Sequence, residues 1–83
     1  MVQTKRKIFE SGKEIIYTLR KGSGMVTQHI YIEKNGVNWL HFMPSENKGF
    51  SKCFKNCGSY GWLPMGEVAI NFEDITLNRI YLG

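Results

Sequence analysis

Long apolar runs are missing from this sequence: charges or glycines break every hydrophobic stretch well before the roughly 20 residues that a helix needs to cross a bilayer. A transmembrane helix is therefore not expected. Nor is a signal peptide, because the basic stretch 1–7 leads into Ile8, Phe9, Glu10, Ser11 and Gly12 rather than into an apolar segment with a small-residue cleavage site. An intracellular location without a membrane partner is the expectation. Cysteine is scarce, at two residues, too few for a disulfide framework. Cys53 and Cys57 read as free thiols of a reducing compartment, with a local disulfide across a tight turn as the alternative.

Amphipathic helical patterns longer than about two turns are also lacking. So are the GxxxxGKS/T and GxGxxG spacings that cradle phosphates, although the chain has nine glycines. Carboxylates are few, and the neighbours Glu73 and Asp74 suit a solvated bend better than an acid–base pair. No catalytic residue, cofactor or enzymatic activity is expected. Cys53, Cys57, His29 and His41 do have the ligand types of a Cys2His2 zinc site. Strand parity argues against one, since the expected register puts the two histidines on opposite faces of a hairpin. No metal site is predicted.

What is present is β-strand signal. The apolar share is 42% and the charged share 22%, ordinary globular usage far from the signature of disorder. At 83 residues the chain has the size of one small domain, 1–83. Its clearest feature is Asn35-Gly36 between two β-prone runs, His29–Lys34 and Val37–Phe42. Both turn residues tolerate the positive φ of a type I′ turn, which makes this a strong hairpin signal. A regular two-residue loop pairs Lys34 with Val37, Ile32 with Trp39, Tyr31 with Leu40, Ile30 with His41 and His29 with Phe42. One face then carries Ile30, Ile32, Val37, Trp39 and His41, and the other His29, Tyr31, Leu40 and Phe42.

Upstream, Lys7–Glu10 and Glu14–Arg20 read as a second hairpin around Ser11-Gly12-Lys13, with a flexible connection over Lys21-Gly22-Ser23-Gly24. From Pro44 to Gly66 the pattern breaks into a long irregular loop, with room for one short strand or helical turn near Phe50–Phe54. Glu67–Phe72 alternates cleanly and predicts a fifth strand with Val68, Ile70 and Phe72 on one side. Beyond it Ile75 and Leu77 share one parity and Ile80 and Leu82 the other, which a bulge or helical turn around Asn78 reconciles. The fold class is all-β: a small barrel, a sandwich or a curved antiparallel sheet of five to six strands, with a long irregular loop at 44–66.

The charge is basic, with 11 Lys and Arg against 7 Asp and Glu for a net +4. Residues 1–21 hold six of the basic side chains against two acidic ones, and 48–55 add three lysines and no acid. Such asymmetry favours an acidic partner. Small β domains that bind single strands combine basic residues along the phosphates with aromatic rings under the bases. The corresponding residues here are Lys5, Arg6, Lys7, Arg20, Lys21, Lys48, Lys52 and Lys55 for phosphate, with Tyr31, Phe42, Tyr60 and Trp62 as stackers. The expected function is non-enzymatic binding of an anionic polymer, single-stranded nucleic acid before others. The alternative is a protein-interaction or inhibitor module that engages a partner protein through the 48–65 loop, rich in interface-type aromatics around Tyr60–Met65, and an exposed sheet edge.

Overall fold

The computed structural model describes residues 2–23, 28–80 and 82. Six strands form one antiparallel meander: β1 (Val2–Ile8), β2 (Glu14–Ser23), β3 (Gln28–Lys34), β4 (Val37–Pro44), β5 (Ser51–Asn56) and β6 (Trp62–Val68). Their spatial order is their chain order, and the sheet does not close into a barrel. Of the three architectures the sequence allows, the open sheet is the one adopted. Two 3-10 turns, Gly58–Tyr60 and Phe72–Asp74, complete the regular structure among the described residues.

The Asn35-Gly36 turn forms as read, with φ of 50° and 82°. Asn35 also extends the ladder to β2: its backbone N–H donates to the Ile16 carbonyl and its side-chain oxygen accepts from the Ile16 N–H, at 2.8 and 2.9 Å. The register beyond the turn differs from the regular one. Glu33 sits opposite Asn38, but Ile32 sits opposite Leu40, so Trp39 is an extra residue in β4. This bulge reverses the parity of everything after it. His41 now faces Tyr31 and Phe42 faces Ile30, the opposite of the expected assignment for both. Trp39 turns inward and packs on Tyr17 at 5.6 Å between ring centroids, with the Lys34 ammonium 4.5 Å above its own ring.

The stretch 44–66 is not a long loop: β5 is the short strand expected near Phe50–Phe54, and β6 is a further strand not expected from the sequence. Two features hid β6 from sequence reading, Pro64 and Gly66. Proline is tolerated because β6 is an edge strand, where a missing N–H faces no neighbour. Gly66 has φ 90° and lies where β6 carries one residue more than β5, the left-handed conformation that a bulge glycine supplies.

The strand expected over 67–72 ends at Val68. The chain then leaves the sheet and recrosses it as an irregular segment with turns at Phe72–Asp74 and 77–79. The turn around Asn78 resolves the parity clash as anticipated, but 75–80 is not a strand. This segment supplies Phe72, Ile75, Leu77 and Leu82 to a core whose other members are Ile15, Tyr17, Leu19, Ile30, Ile32 and Phe42. Polar contacts pin it down. The fully buried Tyr17 donates its hydroxyl to the Leu82 carbonyl at 2.9 Å, Ser51 donates to the Ile70 carbonyl at 2.7 Å, and the Leu77 N–H donates to Gln3 at 3.3 Å. The expected connection over 21–24 is strand as far as Ser23, and Gly24 lies outside the described residues.

Candidate functional site

The C-terminal segment covers one face of the sheet, and the described residues leave the other open. Alternation from the buried positions assigns side chains to each. On the covered side stand Ile15, Tyr17, Leu19, Ile30, Ile32 and Phe42. On the open side stand Arg20 opposite Tyr31, His41 opposite Tyr31 and Phe54, and Trp62 opposite Asn56.

Five rings from four strands meet on the open face. Tyr31 (β3) stacks on His41 (β4), centroids 4.4 Å apart with planes 12° from parallel. His29, two residues before Tyr31, lies 5.9 Å from it at 20° and 4.9 Å from His41. Phe54 (β5) tilts against His41 at 5.6 Å, and Trp62 (β6) meets it edge-on at 5.4 Å and 64°. Trp62 also lies 6.0 Å from Tyr31. His41 is thus the hub, buried beneath neighbours that are themselves half-buried and present ring area outward. His29 Nδ1 and His41 Nε2 are 2.7 Å apart, a hydrogen bond in which one ring donates and the other accepts. Burial, and secondarily the charge His29 would carry, lower the proton affinity of His41 from its ordinary value near 6.5.

Tyr31 and Trp62, both expected to stack bases, are brought together here. The other two proposed stackers are not. Phe42 is only 2% exposed and belongs to the core, because the Trp39 bulge exchanged its side with that of His41. Tyr60 stands 83% exposed on the 3-10 turn, outside the cluster. The expected site residues do not include His29, His41 or Phe54. Phe54 was recoverable from the alternation of Lys52, Phe54 and Asn56, whereas His41 was not, since its side depends on a bulge that no turn-type residue marks.

The basic residues divide between the faces. Arg20 and Lys52 stand on the open side with the rings; Arg20 is paired to Glu33 at 2.9 Å, and Lys52 is exposed opposite Met43 and Glu67. Arg6 shares that side, farther out on β1, paired to Glu14 at 3.0 Å. Lys48 is exposed in the turn before β5. Lys5, Lys7 and Lys21 lie on the covered side: Lys5 donates to Asn78 at 3.1 Å, Lys7 to the Leu82 carbonyl at 3.5 Å, and Lys21 sits 5.7 Å over the Phe72 ring. They therefore do not flank the rings. Lys55, opposite Leu63, has the covered-side parity and is exposed.

Cys53 and Cys57 are both free. Burial raises the proton affinity of Cys53, which stands opposite Phe42 on the covered side and so cannot join the histidines. Among the described residues no three His, Cys, Asp or Glu side chains gather as a metal site would require, and no helix is long and apolar enough to cross a membrane. The two histidines do touch, contrary to the expectation of opposite faces. No protein-family model, curated protein or solved structure matches this chain, so what the open face does is inferred from its own geometry and chemistry.

Proposed function

We propose that the open face binds single-stranded nucleic acid without catalysing a reaction, with bases stacking on Tyr31, Trp62 and Phe54 and with Arg20, Lys52 and Lys48 meeting phosphates. The observation that carries this reading is the five-ring cluster on a sheet face that the rest of the described chain leaves uncovered. Apolar rings cluster in a small domain to make a core, but this domain's core is on the other side. Every base has a π face, so a stacking platform accepts sequence variety, and each stack contributes about 1–3 kcal/mol. The net charge of +4 adds long-range attraction for a polyanion.

Fluorescence anisotropy with a labelled single-stranded oligonucleotide tests the reading. Tyr31→Ala and Trp62→Ala are each expected to weaken binding roughly 5- to 150-fold, the affinity equivalent of one lost stack. Lys52→Glu is expected to weaken it without unfolding the chain, and the affinity should fall with salt at about 0.7 log units per log unit for each phosphate neutralised. An oligonucleotide that fails to bind, or binds both alanine variants as well as the parent, defeats the proposal.

One observation favours a second reading, a protein-interaction module. The β6 edge and its approach expose Tyr60 (83%), Met65 (61%) and Leu63 (44%), anchor types for a partner protein. Such binding is expected to respond little to salt and to be lost in Met65→Glu rather than in Tyr31→Ala.

A further inference from the structure

We propose that the His29–His41 pair is the proton-linked anion contact of the open face: it takes up one proton when the nucleic acid binds, placing a positive charge among the stacked rings. This rests on the nucleic-acid reading and adds the regulation of that site.

The chain has two histidines, and they meet nitrogen to nitrogen at 2.7 Å within the ring cluster. At that distance one nitrogen must donate and the other accept, so the neutral pair already holds one bridging hydrogen. An added proton enters on a ring nitrogen outside the bridge, and the bridge becomes the stronger N–H⁺···N type. A second added proton would leave two donors and two like charges facing each other, so the pair charges once.

The surroundings explain why the free protein resists a charge on His41. Tyr31, Phe54 and Trp62 wall His41 with apolar rings. The charged groups on neighbouring strands offer no loose carboxylate. On β2 and β3, Arg20 and Glu33 neutralise each other at 2.9 Å. On β5 there is Lys52, a like charge, and on β6 Glu67 is held by Ser45 and Asn47. Burial therefore wins, in agreement with the lowered proton affinity of His41. Bases stacked on Tyr31 and Trp62 bring their phosphates to the rim of this cluster. An opposite charge within about 4–6 Å favours the charged imidazolium strongly. Binding and protonation then reinforce each other, and by linkage the affinity falls as pH rises between the titration of the free pair and that of the bound pair.

The test uses the full chain and an oligothymidylate about twelve nucleotides long, whose bases do not titrate between about pH 5.5 and about pH 8.5. Titration calorimetry near pH 6.5, in two buffers with different ionisation heats, is expected to return uptake of close to one proton per complex. Anisotropy across the same range is expected to show the affinity falling by up to about tenfold per pH unit. The double variant His29→Gln/His41→Gln should bind with no proton uptake and a flat profile. If that variant fails to fold, imidazole ¹⁵N shifts of the parent near neutral pH decide: adding oligonucleotide should move the pair toward the charged form. Tight binding with a flat pH profile and unmoved ¹⁵N shifts overturns this inference and leaves the nucleic-acid reading standing. Proton uptake that persists in the double variant overturns it too, and no binding at any pH overturns both.

Discussion

His41 sits under four other rings and accepts or donates a single hydrogen bond to His29. Such a site is comfortable for a neutral imidazole and poor for a charged one. The sign for stability follows. The folded state binds its proton less readily than the unfolded chain, whose histidine titrates near 6.5, so the unfolded state gains protons first as pH falls. Stability contributed by neutral His41 is fully present above that value, declines as pH drops through it, and levels off once the folded form is protonated as well. Urea midpoints are expected to be lower at about pH 5 than at about pH 7.5, with the difference shrinking in His41→Gln. The free protein thus resists the charge that a bound polyanion would favour, which is the condition for proton-linked binding. At this scale the Asn35-Gly36 turn was legible because positive φ is a demand on two residues alone. The exchange of His41 and Phe42 was not, because a side chain's face depends on everything between it and the turn.

Among the elements, the β3–β4 hairpin decides the chemistry of both faces. Its single extra residue, Trp39, puts Phe42 into the core and His41 onto the open side. Deleting Trp39 removes the extra residue and leaves the other pairs as they are, Ile32 with Leu40, Tyr31 with His41 and Ile30 with Phe42, so Phe42 is expected to stay in the core and His41 on the open side. What is lost is the packing of the Trp39 ring on Tyr17, and thermal unfolding should show a cost of up to about 3–5 kcal/mol. The His29–His41 contact should persist in imidazole NMR spectra, and its disappearance would show that β4 had slipped to another register. Strand β6 was illegible for a related reason, whereas β5 falls where a short strand was expected near Phe50–Phe54. The sequence rules that demote a strand containing Pro64 and Gly66 describe central strands, and an edge strand with a bulge escapes both.

For the molecule as a whole, the covered face depends on a segment with almost no regular structure. Residues 69–80, with Leu82, cross from β6 back over β2 and β1, and they contribute four of the ten buried apolar core residues. Phe72 is 3% exposed, so Phe72→Ala is expected to cost about 3–5 kcal/mol. Small domains have about 5–15 kcal/mol in total. Chemical denaturation should therefore show a variant with little cooperative transition left, and a loss below about 1 kcal/mol would mean that the segment does not hold the sheet. The alternation placed Val68, Ile70 and Phe72 on one side, and all three do turn to the core, but burial periodicity does not distinguish a strand from an extended crossing segment. Strand parity puts Lys5, Lys7 and Lys21 on the covered side, where the crossing segment meets them, which leaves a smaller basic set beside the rings than the charge pattern along the chain suggested.

Sequence alone determined the all-β class and the central hairpin, because period-two alternation and turn conformations are set by near neighbours. Only the tertiary structure decided which rings share a face, that 44–66 extends the sheet, and that one face is roofed while the other stays open. Parity past a bulge and the tolerance of an edge strand depend on partners far along the chain, and no local pattern encodes them.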